Sequence, residues 1–192
     1  YLAMNGYRTA IDIPFFGWTW ELGFFYYIFA FLFIMAFVNG VNFTDGLDGL
    51  ASGVTVIVAA FFAVVAWGRE SNLAIVTSAV AGSLLGFLLF NVNPAKVFMG
   101  DTGSLALGGF VSALALMLDI PLILVIVGFI YAAEVLSVVL QVGYFKATHG
   151  KRLFKMAPIH HHFELSGWKE TKVVSVFVII TAILCLVGYL AL

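Results

Sequence analysis

Two aspartates in a glycine-rich turn are the first residues of this sequence that could carry out chemistry. Asp45 and Asp48 lie within the stretch from Asn39 to Gly53, between two long apolar runs. They are three residues apart, so they would share a face if the turn continued into a helix. A helix cap accounts for one carboxylate there but poorly for two. Because Asn39 and Asn42 add amide groups nearby, we expect this stretch to form one wall of a ligand pocket.

A third carboxylate, Asp101, lies in a second polar loop between apolar runs. Gly100 and Gly103 flank it, and residues without a side chain let the backbone approach a ligand closely. We expect Asp101 to converge with Asp45 and Asp48. Such a group favours Mg²⁺ together with substrate phosphates, since Mg²⁺ typically takes one or two carboxylates and completes its shell with water and phosphate.

The third polar loop, residues 143–171, is basic and contains three consecutive histidines, His160, His161 and His162. Its positive charge suits anionic lipid headgroups and substrate phosphate equally well. In an extended segment the three rings would point in alternating directions, and no thiolate accompanies them, so a closed tetrahedral zinc site is disfavoured. We expect one histidine to contact a phosphate or carry a proton while its neighbours hold the loop in place.

The elements that position these loops must be membrane-spanning helices. Apolar residues make up 63% of the 192 positions, charged residues only 10%, and the mean hydropathy is +1.11, which excludes an ordinary soluble domain. Continuous apolar runs long enough to cross a bilayer as helices predict an all-helical bundle that forms one domain or part of one. The predicted spans are residues 24–41, 50–67, 73–90, 104–119, 121–145 and 172–192. A net charge of −1 gives no sign of a nucleic-acid partner.

The basic residues set the predicted orientation. Loops 39–49, 91–103 and 143–171 fall on one side of the membrane, and they carry or adjoin seven of the nine Lys and Arg residues. The excess predicts that this side is cytoplasmic. Residues 1–23, with short β-branched and aromatic stretches on either side of Pro14 and Gly17, are predicted to form an extracytoplasmic β-hairpin.

Two polar residues lie within the fifth predicted span. A charge at the bilayer centre costs about 2.5–3.5 kcal/mol, so Glu134 must face the bundle interior or be protonated. The simplest interpretation is a hydrogen-bonded packing contact between helices. Gln141 lies seven residues further on, on the same helical face and nearer the cytoplasmic end, so it is the better candidate for contact with substrate.

The three loops together resemble the signatures of the bacterial phospho-N-acetylmuramoyl-pentapeptide-transferase family, within the polyprenyl-phosphate N-acetylhexosamine-1-phosphate transferase superfamily. The matching segments are residues 42–50, 93–104 and 156–164. The resemblance implies a bundle of ten transmembrane helices, of which this chain would form the last six. An adjacent aspartate pair typical of the family is not found here, so we expect an N-terminal remainder of the same enzyme to supply it. This polypeptide alone is then expected to be inactive.

The resemblance also implies an activity. The family transfers phospho-MurNAc-pentapeptide from UDP-MurNAc-pentapeptide to undecaprenyl phosphate in the bacterial cytoplasmic (inner) membrane, which gives lipid I and UMP and requires Mg²⁺. It further suggests a homodimer among membrane lipids. Asp101 would be a magnesium ligand and a catalytic residue, with Asp45 and His160 also catalytic. The predicted substrate-binding residues are Asn39, Asn42, Asp48, Asn91, Phe98, Gly100, Ser104, Gln141, Ala157, His161 and His162.

Three other functions stay open. A related transferase of the superfamily could use a donor of the UDP-GlcNAc type. An ion-coupled transporter could use its carboxylates as a cation pathway, although such pathways place charges near the bilayer midplane. The third alternative is a non-catalytic fragment that acts as an interaction surface.

Overall fold

The structure, a computed structural model, describes residues 8–192. It begins with an antiparallel hairpin of strands β1 (Ala10–Ile13) and β2 (Trp18–Glu21), in which Ala10 lies opposite Glu21. This confirms the N-terminal hairpin, while the part of that prediction that concerns residues 1–7 lies outside the described residues.

Helices make up the rest of the fold. In chain order they are α1 (Phe25–Thr44), α2 (Leu50–Gly68), α3 (Leu73–Asn91), α4 (Gly100–Met117), α5 (Pro121–Val127), α6 (Phe129–Ala147), α7 (Ile159–Glu164) and α8 (Glu170–Leu190). Among residues 8–192, six helices are long and apolar enough to cross a membrane, namely α1, α2, α3, α4, α6 and α8. Large apolar side chains such as Leu89 and Leu190 face outward, as a lipid-exposed surface allows. The predicted all-helical, multi-pass membrane fold is confirmed.

The predicted helix boundaries need three corrections. The fifth span is not one helix over 121–145, because Gly128 separates α5 from α6 and glycine is a weak helix former. The first helix continues past residue 41 to Thr44, and the fourth begins at Gly100 instead of residue 104. Hydropathy locates the lipid-crossing part of a helix but not its polar ends. Asn42 and Asp101 therefore lie within helical turns.

Helix α1 is central to the positioning of the site, because it packs against both α4 and α6. Two glycines bring the backbones close together. A Cβ added at Gly108 would overlap the backbone of Val38, and one added at Gly40 would overlap the backbone of Tyr131. Small residues at such crossings are typical of membrane helices, whose association depends on close packing. The C-terminal end of α1 is thereby held beside the start of α4.

Candidate active site

The last turn of α1 and the first turn of α4 meet through one side chain. The Asn42 Nδ2 atom lies 3.0 Å from Asp101 Oδ1 and 3.0 Å from Ser104 Oγ. Ser104 is buried, whereas Asp101 is exposed to solvent. Three predicted site residues from two different loops are thus brought together, with the carboxylate on the open side.

Asp45 stands directly after α1 and faces the same place. It is half-buried, and burial together with the charge of Asp101 raises its pKa to about 6, opposed by a backbone hydrogen bond from Gly100. Gly100 directly precedes Asp101 in the chain, so the hydrogen bond from the Gly100 backbone brings the Asp45 carboxylate close to Asp101. Two adjacent acidic groups, one of them exposed, fit Mg²⁺ well, because this ion takes one or two carboxylates and leaves further positions to water and phosphate.

Asp48 does not join this pair. Its Oδ2 atom accepts hydrogen bonds from Asn93 Nδ2 at 3.1 Å and from the Ala95 N–H at 2.9 Å, so it holds the second loop. Within residues 8–192, no three His, Cys, Asp or Glu side chains are grouped so that they could hold a metal ion. The expectation that three carboxylates converge is therefore wrong. Helix α2 begins only at Leu50, so Asp45 and Asp48 lie in a turn and do not share a helical face.

Glu170, at the start of α8, completes the connection between the loops. Its Oε1 atom accepts the Asp48 N–H at 2.7 Å, and its Oε2 atom accepts Asn93 Nδ2 at 3.0 Å. This role was not predicted from the sequence, since an acidic residue at a helix start is ordinarily explained by the helix dipole.

The three histidines lie on the short helix α7 and not on an extended segment, which corrects the expected alternation of their rings. His161 Nδ1 lies 2.8 Å from Glu164 Oε2, and His162 Nδ1 accepts the Lys155 N–H at 3.1 Å. Both contacts are local to the third loop. His160 differs, because its side chain is only 1% exposed and points into the protein.

The buried partner of His160 is Glu134. The Nδ1 atom of His160 lies 3.1 Å from Glu134 Oε1, and the Glu134 side chain is fully buried. The expected buried contact between helices is thus found, and it joins α6 to the short helix α7 of the third loop. Sequence reasoning did not place Glu134 in the site. The available signal was a single carboxylate in an apolar run, which gives no information about its partner.

Three other predicted site residues use their amide groups within the protein. Gln141 accepts the N–H groups of Leu153 and Phe154 and donates to the Phe154 carbonyl, so it fixes the third loop. Asn91 is buried and bonded to Ser52 and to the Val97 carbonyl, and Asn39 donates to the Met35 carbonyl. The contacts of Gln141 and Asn91 shape the loops around the site, whereas that of Asn39 lies within α1.

The remaining predicted contacts are more open. Phe98 is 73% exposed and Gly100 is exposed as well. Ala157 and Gln141 line a cavity of about 570 Å³ together with Lys146 and Arg152. A larger cavity of about 770 Å³ lies at the hairpin end of the molecule, and none of the predicted site residues lines it. We therefore place the candidate site by its side-chain chemistry and not by cavity size.

Comparison with known proteins identifies relatives of this chain. The sequence model of glycosyl transferase family 4 matches residues 2–119. The chain is 62% identical to the phospho-N-acetylmuramoyl-pentapeptide-transferase of Clostridium novyi (strain NT). The aligned region of 185 residues covers 96% of the chain and 57% of that relative. It is 58% identical to the protein of the same name from Acetivibrio thermocellus, and the aligned region covers 97% of the chain and 57% of that relative. For the protein of that name from Clostridium kluyveri (strain NBRC 12016), the identity is 57%, with 100% and 61% covered. The chain thus spans about three fifths of the length of these relatives.

Proposed function

Since the chain belongs to glycosyl transferase family 4, we propose that it forms the C-terminal part of a phospho-N-acetylmuramoyl-pentapeptide-transferase. The whole enzyme would transfer phospho-MurNAc-pentapeptide from UDP-MurNAc-pentapeptide to undecaprenyl phosphate, with lipid I and UMP as products. An N-terminal remainder of the same protein would complete the active site. The observation that supports this most directly is the meeting of Asn42, Asp45, Asp101 and Ser104 at the end of one membrane helix and the start of another.

Asp101 and Asp45 would hold Mg²⁺ in this enzyme. When bound, the ion supplies a positive charge that offsets the repulsion between the acceptor phosphate and the diphosphate of the donor. Asn42 orients the Asp101 carboxylate through its 3.0 Å contact. A hydrogen-bonded carboxylate loses less conformational freedom on binding a ligand, so the site is prepared in advance.

The third loop would contribute positive charge and a proton carrier. Lys146 and Arg152 line the 570 Å³ cavity beside Gln141 and Ala157, where they can attract the phosphates of a substrate. His160 adjoins the Gly46 backbone, next to Asp45, and would exchange a proton with a reacting phosphate oxygen. His161, His162 and Phe98 would contact the donor.

The location follows the same reasoning. We place the enzyme in the bacterial inner membrane with the three loops on the cytoplasmic side, since seven of nine basic residues lie in or beside those loops. A soluble nucleotide donor would then reach the site from the cytoplasm while the prenyl chain of the acceptor stays in lipid. Association into a homodimer is a further part of the proposal.

The decisive experiment compares two donors. The natural protein that contains these 192 residues is purified in detergent and given undecaprenyl phosphate, Mg²⁺ and either UDP-MurNAc-pentapeptide or UDP-GlcNAc, and UMP release is measured. We expect UMP release with UDP-MurNAc-pentapeptide as the donor and none with UDP-GlcNAc. Release with UDP-GlcNAc alone would assign the related transferase activity, and no release with either donor would overturn the proposal.

A further inference from the structure

The Glu134 carboxylate is enclosed in the bundle beside the His160 ring. Its side chain is 0% exposed, and within the described part of the chain neither carboxylate oxygen has a hydrogen-bond partner of good geometry. The His160 Nδ1 atom lies 3.1 Å from Glu134 Oε1, within hydrogen-bonding distance but without the alignment of a hydrogen bond. Because an isolated buried carboxylate is costly, a histidine at this distance favours the burial of Glu134 inside a membrane bundle.

The opposite edge of the His160 ring is held by the turn after α1. A Cβ added at Gly46 would overlap the Nε2 and Cε1 atoms of the ring, so the backbone at Gly46 touches the imidazole directly. Like Nδ1, the Nε2 atom is buried and, among residues 8–192, has no hydrogen-bond partner of good geometry; the two nitrogens differ in that Nδ1 lies 3.1 Å from Glu134 Oε1. Gly46 follows Asp45 in the chain, so the free nitrogen faces the turn that carries one of the two site carboxylates.

A purely structural role explains this arrangement poorly. A buried acid–histidine pair adds little stability compared with well-packed apolar residues, because both groups must lose their hydration. The tight packing at Gly46 leaves the ring little freedom to rotate. The arrangement gives the two ring nitrogens different neighbours, because Nδ1 lies beside the Glu134 carboxylate and Nε2 lies against the Gly46 backbone. A carboxylate beside Nδ1 favours a proton on that atom, which leaves the Nε2 lone pair directed towards the Asp45 turn.

We propose that Glu134 is a positioning residue that fixes the ring orientation and the tautomer of His160, so that Nε2 is the nitrogen offered to the active site. When Nε2 takes up a proton, the carboxylate stabilises the imidazolium that forms; when Nε2 gives the proton back, the ring returns to the tautomer with hydrogen on Nδ1. The proton passes between Nε2 and the reacting phosphate oxygen, whose O–H bond breaks as the N–H bond forms, and Glu134 stays a carboxylate throughout. The catalytic part of this inference rests on the proposed transferase function, whereas the tautomer does not.

The tautomer can be measured without turnover. The natural protein is labelled with ¹⁵N in its histidine rings, and the Nδ1 and Nε2 chemical shifts are recorded, with His160→Gln used to assign the signal of His160. We expect wild-type His160 to carry its proton on Nδ1 and Glu134→Gln to change this pattern. A wild-type ring with its proton on Nε2 would overturn the proposal, even if the Glu134→Gln variant failed to fold.

A kinetic comparison tests whether Glu134 acts through His160. In Glu134→Gln we expect kcat to fall about 10–100-fold, the range for loss of an outer-shell partner, with the KM for the UDP-linked donor unchanged. In a His160→Gln background the same change should have no further effect, since the partner is already gone. Additive losses, or a rise in KM without a fall in kcat, would contradict the proposal.

Ser137→Ala is the matched control for packing at this point of α6. The Ser137 hydroxyl donates to the Glu134 backbone carbonyl at 2.7 Å and does not contact its carboxylate. This variant should keep both the His160 ring shifts and kcat, and an equal loss in Ser137→Ala would instead assign the effect to local packing. If the protein released no UMP at all, the transferase proposal would fail while the ring shifts still decided the tautomer.

Discussion

The side-chain amide of Asn42 lies 3.0 Å from the Asp101 carboxylate and 3.0 Å from the Ser104 hydroxyl, and it thereby joins the end of α1 to the start of α4. The contact depends on the close crossing of these helices at Gly108. It fixes the direction of a carboxylate that is otherwise exposed. Several expected outcomes depend on this geometry.

Removal of the Asn42 amide should weaken the site without unfolding the protein. In the natural protein, Asn42→Ala is expected to lower Mg²⁺-dependent UMP release about 10–100-fold, because Asp101 loses the partner that orients it. Asn72→Ala is a suitable control, since Asn72 stands just before α3 at the opposite end of the bundle and makes no side-chain cap there. A normal rate in Asn42→Ala, measured at limiting Mg²⁺, would show that Asp101 needs no such support.

Loss of the Asp101 charge should have a larger effect. Asp101→Asn is expected to abolish most Mg²⁺-dependent turnover, a loss greater than the roughly 10–100-fold that an outer-shell partner provides. The measurement is UMP release over a range of Mg²⁺ concentrations. Asp119→Asn, on the loop at the other end of α4, serves as the control, because asparagine tolerates the left-handed backbone found there. Retention of near-normal turnover in Asp101→Asn would remove this residue from the metal site.

A side chain added at Gly46 should displace the His160 ring. We expect Gly46→Ala to lower UMP release at least about 10-fold and to cost about 1–3 kcal/mol of stability, the usual cost of overpacking. The control is Gly68→Ala at the end of α2, where an added Cβ meets no atom within 4 Å. Equal activities and equal melting temperatures for the two variants would show that the turn after α1 can move away from His160.

The link between the loops should appear in stability. Glu170→Ala removes two hydrogen bonds to a charged group, and we expect the free energy of unfolding to fall by about 1–3 kcal/mol. Thermal unfolding in detergent and limited proteolysis of the loop at 92–99 would measure the change. Glu164→Ala removes one contact with His161, three residues away on the same short helix, and should cost less than about 1 kcal/mol. Equal destabilisation by both changes would argue against a special role for Glu170.

Asp45 should make stability depend on pH when metal is absent. Its pKa is raised from 3.8 to about 6, so between these values the folded protein binds a proton that the unfolded chain releases. The contribution of Asp45 to the free energy of unfolding is therefore largest below about pH 4. It falls by about 1–2 kcal/mol, after allowance for solvent screening, as the pH rises to about 6.

The measurement for this prediction is the melting temperature in a chelator between pH 4 and pH 7. Asp45→Asn should lack the fall seen in the wild type, and added Mg²⁺ should reduce that fall if Asp45 helps to hold the ion. Parallel profiles for wild type and variant would contradict the assignment of this pH dependence to Asp45.

Much of the fold could be predicted because it depends on local composition. Runs of about 20 apolar residues predicted the spanning helices, and the stretches around Pro14 and Gly17 predicted the hairpin. The family resemblance of the three motifs is confirmed by relatives that carry its name. The meeting of Asn42 with Asp101 was also within reach, because loops on the same membrane side have only a small area to share.

The sequence alone therefore determined which segments cross the membrane and which polar loops share one side of it. Only the tertiary structure decided how the polar side chains are paired. In the folded protein, Asp48 accepts hydrogen bonds from Asn93 and Ala95, and Glu134 lies beside His160. An apolar run is a property of neighbours along one helix, whereas these pairs depend on how the helices that carry the loops pack against each other. Such long-range packing is set by the whole bundle, so no local pattern around Glu134 could have identified its partner.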